Sequence, residues 1–163
     1  MSGLFFEDIQ VGQVFEAGPY TVSRDEIIDF ARRFDPNPFH LDDAAAAAAG
    51  LPSVIASGFH TLSLSFRLFF DLHLWDEAIM PSPGMDNVRW LKPLCPGDTI
   101  GIRASVIETT LSRSKPDRGV IKVRHDTLAF GSESVVLTAQ AMHRLRTRAS
   151  STLVGQARHA AEL

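Results

Sequence analysis

Over residues 57–75 nearly every face of the chain is apolar. Plotted on a helix, Phe59, Leu62 and Phe66 fall on one side, Leu64, Leu68 and Leu72 on another, with Phe69 and Phe70 beside them. A helix that is apolar almost all round is a buried one, so the rest of the chain must supply a wrapper. Arg67, Asp71 and His73 interrupt the run, which therefore does not read as a membrane span.

The second half supplies that wrapper. After a loop at 81–84, residues 85–91 form a candidate strand, followed by a bend at 92–98. Ile100, Ile102, Ala104 and Val106 then alternate with more polar positions, and a hairpin loop follows at 114–119. Ile121, Val123, His125, Thr127 and Ala129 alternate with Lys122, Arg124 and Asp126; Val135, Leu137, Ala139 and Ala141 alternate with Thr138, Gln140 and Met142. A period of two over such lengths predicts long antiparallel strands with one buried face.

The first half begins with a strand over 11–22, kinked or at an edge because of Gly18-Pro19. Ser23 and Glu26 form a capping box, and Ile27, Ile28, Phe30, Ala31 and Phe34 follow at helical spacing. That helix must stop near Asp35, since a residue before proline avoids helical geometry. Asp42 and Asp43 then cap a run of six alanines that ends at Gly50. Together these elements predict an α+β domain in which a curved antiparallel sheet encloses one central helix. No internal repeat is apparent, and from Arg148 onward no periodicity remains, so 148–163 is expected to be a disordered tail.

At 163 residues the chain is expected to form one domain with a substantial core. A net charge of −3 gives no reason to invoke nucleic acid or an anionic membrane. Cys95 is the only cysteine, which excludes an internal disulfide and a multi-cysteine zinc site. The acidic N-terminus lacks the build of a signal peptide, so a cytoplasmic location is the default expectation.

Chemistry concentrates in Phe34-Asp35-Pro36-Asn37-Pro38-Phe39-His40-Leu41-Asp42, read on to Ser57-Gly58. Two prolines bar this segment from helix and hold a carboxylate and an imidazole five residues apart. Gly58 opens the apolar helix. A carboxylate, an imidazole and a helix N-terminus are the parts needed to move a proton and stabilise an oxyanion. A purely structural alternative exists, because Asp-Pro and Asn-Pro are also ordinary turn formers.

Asp35, Asn37, Pro38, His40 and Asp42, with Gly58 downstream, resemble the signature of the MaoC-like dehydratases, which include (R)-specific enoyl-CoA hydratases. The 89–98 segment, Arg-Trp-Leu-Lys-Pro-Leu-Cys-Pro-Gly-Asp, is similar to that family's strand-and-bend pattern, and the resemblance spans about residues 5–147. Three positions depart from it: Phe34 replaces a glycine, Phe39 an aliphatic residue, and Ser57 a histidine. The two phenylalanines are expected to narrow the space near the catalytic segment.

The resemblance implies a hotdog fold over 1–147 and hydration of a 2-enoyl thioester, or dehydration of a 3-hydroxyacyl thioester, in fatty acid metabolism. The acyl group would ride on coenzyme A, with acyl carrier protein as the alternative carrier. It also implies a homodimer or an assembly of dimers, and no cofactor or metal. Asp35 and His40 would share the proton work. The Gly58 N–H would face the thioester carbonyl, a contribution of about 3 kcal/mol for one such donor, and glycine would let the acyl group approach the backbone. Asn37, Phe39, Ser57 and Phe59 are expected beside the substrate, Asn37 chiefly to fix the catalytic segment.

Two other functions are compatible with the sequence. A hotdog thioesterase would need an acid on the central helix, where only Asp71 is available, near the far end. A non-catalytic module would bind acyl thioesters without turnover. Among the other polar residues, His60 reads as a satisfied core histidine, Arg89 as the partner of a nearby acid, and Cys95 as structural.

Overall fold

A computed structural model describes residues 3–150. In chain order the elements are β1 (Val14–Thr21), α1 (Arg24–Phe34), α2 (Asp43–Ala48), α3 (Gly58–Phe70), β2 (Ile79–Trp90), β3 (Thr99–Leu111), β4 (Arg118–Ala129) and β5 (Val135–Arg146), with 3-10 turns at Phe6–Asp8 and Pro38–His40. The strands form one antiparallel sheet in the order β1-β3-β4-β5-β2. Its inner face holds α3, the hotdog arrangement that the motif implied.

The core lies between α3 and the sheet. Leu64, Leu68 and Phe69 meet Ile100, Ile102, Ala104 and Val106 of β3, and Ile121 and Val123 of β4. On β5 the alternation is clean: Leu137, Ala139, Ala141, His143 and Leu145 are buried, and the residues between them are not. This is the period-two pattern expected of strands with one face on a core.

The central helix is shorter and less enclosed than its composition suggested. It ends at Phe70 rather than 75, capped by Asp71, and the chain turns through His73 at a φ of 51°. That turn drops Trp75 into the core, where its ring meets Phe15 and Phe69. Phe59, Ser63, Arg67 and Phe70 form an exposed stripe along α3. One sheet covers one side of a helix; enclosing the other side takes more surface than this fold provides.

Strand β2 starts six residues before the expected strand and includes the expected loop 81–84. Met80 pairs with Arg144 and Gly84 with Met142, so Pro81, Ser82 and Pro83 bulge opposite His143. Prolines lack an N–H to give a ladder, and an edge-strand bulge is where they are tolerated. Ser23 caps α1 by accepting from the Glu26 N–H at 3.2 Å, but Glu26 does not reach back. Its carboxylate accepts instead from the Tyr20 hydroxyl at 2.6 Å. Arg148 is not a free tail residue: its backbone N–H donates to Glu7 and its guanidinium lies 4.7 Å from the Phe5 ring centroid. Residues 151–163 of the expected tail lie outside the described residues.

Candidate active site

Asp35 is the C-cap of α1, its N–H still donating to Ala31 O at 2.9 Å while Pro36 stops the helix. The chain then folds through Asn37 into the Pro38–His40 turn, which carries the imidazole back toward the carboxylate. His40 is 5% exposed. Its Nδ1 lies 2.8 Å from the Ile55 carbonyl oxygen. A carbonyl only accepts, so Nδ1 carries the proton, and in the neutral ring Nε2 is the bare nitrogen. That nitrogen lies 3.4 Å from Asp35 Oδ2.

The carboxylate is held from both sides. Asn37 donates its amide to Oδ1 at 2.6 Å, and Ser57 donates its hydroxyl to Oδ2 at 2.7 Å. Ser57 is fully buried and is the N-cap of α3, accepting from the Phe59 N–H at 3.2 Å. The aspartate is thereby hydrogen-bonded to the end of α3 where the macrodipole is positive. Among the described residues the Gly58 N–H has no acceptor, as expected of a first-turn donor.

Asp35, His40, Gly58 and Phe59 line one cavity of about 460 Å³, closed by Leu51, Ile55, Thr61, Trp90 and Leu94. This size and mostly apolar lining suit a small-molecule site. Asn37 and Ser57 act one step behind it, on the carboxylate. Phe39 sets its ring edge against His40, with centroids 4.5 Å apart. Phe34 turns outward against Phe30 and Arg33. Neither Phe34 nor Phe39 lines the cavity, so the narrowing expected from them is not found.

A glycine at 58 is required by a neighbour that sequence spacing did not reveal. Trp90 Nε1 donates to the Gly58 carbonyl at 2.7 Å. A Cβ at 58 would lie 2.6 Å from the indole Cε2, well inside contact distance. No spacing rule links residues 58 and 90; only the path of β2 along the sheet brings them together.

The remaining polar groups lie elsewhere. His60 is buried, stacked on Phe30 at 4.6 Å, with Nε2 3.6 Å from Glu26 and its pKa lowered by burial. Its Nδ1 has no partner among the described residues, so it is a core histidine whose hydrogen-bonding capacity is not fully met. His125 and His143 face each other in the core, Nε2 to Nε2 at 3.3 Å. Burial holds their pKa values at about 3 and about 4, the neighbouring ring adding to the effect on His125. Asp71 sits at the far end of α3, paired with Arg67 at 2.9 Å and away from the cavity. Arg89 donates to the Val88 carbonyl rather than to an acid.

Residues 8–128 match the family described as MaoC like domain. The crystal structure of a MaoC-like dehydratase from Rhodospirillum rubrum is similar at 35% identity and a TM-score of 0.82, covering 90% of this chain and 99% of that one. The mesaconyl-CoA hydratase of Cereibacter sphaeroides is 30% identical over 139 residues, 83% of this chain and 39% of that protein. The chain thus spans well under half of that relative's length. A Mycobacterium tuberculosis protein described as having a double hotdog fold is 22% identical with a TM-score of 0.68, covering 89% of this chain and 44% of that one, a likeness of fold.

Proposed function

The chain belongs to the MaoC-like domain family, and on that premise we propose that it is a hydratase or dehydratase acting on a 2-enoyl or 3-hydroxyacyl thioester. The observation that carries the proposal is the Asp35–His40 pair, 3.4 Å apart on the wall of a mostly apolar cavity that also holds the start of α3.

Hydration breaks one O–H bond of water, forms a C–O bond at Cβ, and delivers a proton to Cα as charge builds on the thioester oxygen. With Nδ1–H committed to the Ile55 carbonyl, His40 presents Nε2 to the cavity as a proton acceptor. Asp35 faces the same point, held in place by Asn37 and Ser57. The two groups take the proton from water and return it to Cα. The Gly58 N–H, backed by the dipole of α3, meets the thioester oxygen. Dehydration runs through the same groups in reverse.

The thioester is proposed to be an acyl-CoA, with acyl carrier protein as the alternative carrier. A second copy of the chain is proposed as the partner. What supports it is the position of β2 as an edge strand, together with the exposed apolar residues Trp90 and Leu91 at its end and Phe59 and Phe70 on α3. No helix of the described residues is long and apolar enough to cross a membrane.

The direct test is a panel of enoyl-CoA thioesters followed by loss of the conjugated absorbance. Turnover of at least one is expected. Release of free thiol without hydration would replace this reading with thioester cleavage, and binding without turnover would replace it with a non-catalytic module.

A further inference from the structure

We propose that Trp90 is a positioning residue for the reaction, acting through the peptide that joins Gly58 to Phe59. The inference rests on the hydratase reading above. Both ends of that peptide plane are held by side chains. Its carbonyl accepts from Trp90 Nε1 at 2.7 Å, and its N–H donates to Ser57 Oγ at 3.2 Å. The Ser57 hydroxyl in turn donates to Asp35 Oδ2 at 2.7 Å. A continuous hydrogen-bonded series therefore runs from the end of β2, through the first turn of α3, to the carboxylate.

Such a clamp answers a specific weakness. Glycine is the most conformationally free residue, and the first turn of a helix has the fewest backbone bonds to hold it. Gly58 combines both, yet its N–H must keep one direction to meet a developing oxyanion. Trp90 restrains the N–H indirectly: it holds the Gly58 carbonyl by a hydrogen bond and packs indole atoms where a side chain at 58 would lie, which limits the rotation of Gly58 about its own backbone bonds. The Phe59 ring packs edge-on against the indole, with centroids 6.0 Å apart.

Trp90→Phe removes the N–H and keeps an aromatic ring; replacement of Trp90 by 3-benzothienylalanine keeps the indole shape and removes only the donor. In either variant kcat on the best enoyl-CoA should fall about fivefold, the scale of one hydrogen bond. For the benzothienyl variant, which leaves the cavity wall in place, KM and the affinity for a saturated acyl-CoA should change less than twofold. The infrared carbonyl stretch of a bound acyl thioester should also move toward its free position, because Gly58 N–H no longer polarises it fully. If the benzothienyl variant matches wild type in both kcat and carbonyl frequency, the inference is wrong. Loss of acyl-CoA binding in step with kcat would also overturn it, because Trp90 would then be gripping substrate. A wild-type protein that turns over no enoyl thioester would defeat the hydratase reading itself, and the carbonyl frequency would still decide the role of Trp90 with any thioester that binds.

Discussion

Ser57 donates its hydroxyl hydrogen to Asp35 Oδ2 at 2.7 Å across twenty-two positions of sequence, and it caps α3 with the same oxygen. One side chain thus couples the helix N-terminus to the carboxylate. Ser57→Ala should cost about 1 kcal/mol of stability as a lost N-cap. It should also lower kcat about tenfold, since a hydrogen bond to a charged group is worth more than a neutral one. Urea unfolding and steady-state kinetics on the same sample check both parts. Unchanged kcat in a destabilised protein would leave Ser57 with the cap alone.

The contact between Gly58 and Trp90 predicts a non-additive pair. Gly58→Ala forces a Cβ to within 2.6 Å of the indole and should destabilise by about 1–3 kcal/mol, the usual cost of overpacking. In a Trp90→Ala background the same change should cost far less. A double-mutant cycle by urea unfolding reads the difference; additive effects would show that the indole is not what excludes a side chain at 58.

His125 and His143 make the fold sensitive to acid. Burial holds both below the ordinary histidine value of 6.5, at about 3 and about 4, so the unfolded chain binds more protons than the native one between those values and 6.5. Stability from these two groups is therefore present at neutral pH and lost as pH falls below 6.5. From pH 7 to pH 5 the pair should cost roughly 4 kcal/mol. Urea midpoints at the two pH values measure it, and His125→Phe/His143→Phe should flatten the dependence. Equal slopes in wild type and double variant would place the acid sensitivity elsewhere.

Most of the fold was legible because its signals are local and periodic. The alternation along β3, β4 and β5 and the Ser23 half of the capping box each depend on a few adjacent residues, and these appear as expected. The closeness of Asp35 and His40 was legible for the same reason, since two prolines fix a short segment. What stayed hidden depends on distant partners. The early start of β2 requires β5 to tolerate a bulge at Pro81 and Pro83. The outward turn of Phe34 is set by Phe30 and Arg33, and the contact of Trp90 with Gly58 by the path of β2 past the start of α3. The open stripe on α3 was missed because composition counts apolar residues and not the surface left to cover them.

That stripe and the β2 edge predict self-association. Sedimentation at micromolar concentration should give a dimer or a multiple of it. Met85→Lys at the exposed middle of β2 should shift the species toward monomer. A stable wild-type monomer would contradict the proposed second copy.

The most direct test of the central proposal is the turnover number of Asp35→Asn and His40→Gln on the best enoyl-CoA, with native far-UV circular dichroism confirmed for each. Each change should lower kcat by about 10² or more, the scale of a positioned acid or base. Because the two act as a unit, the double variant should be little worse than either single one. If either single variant keeps more than about a tenth of wild-type turnover, that residue does not carry the proton and the assignment of the pair fails.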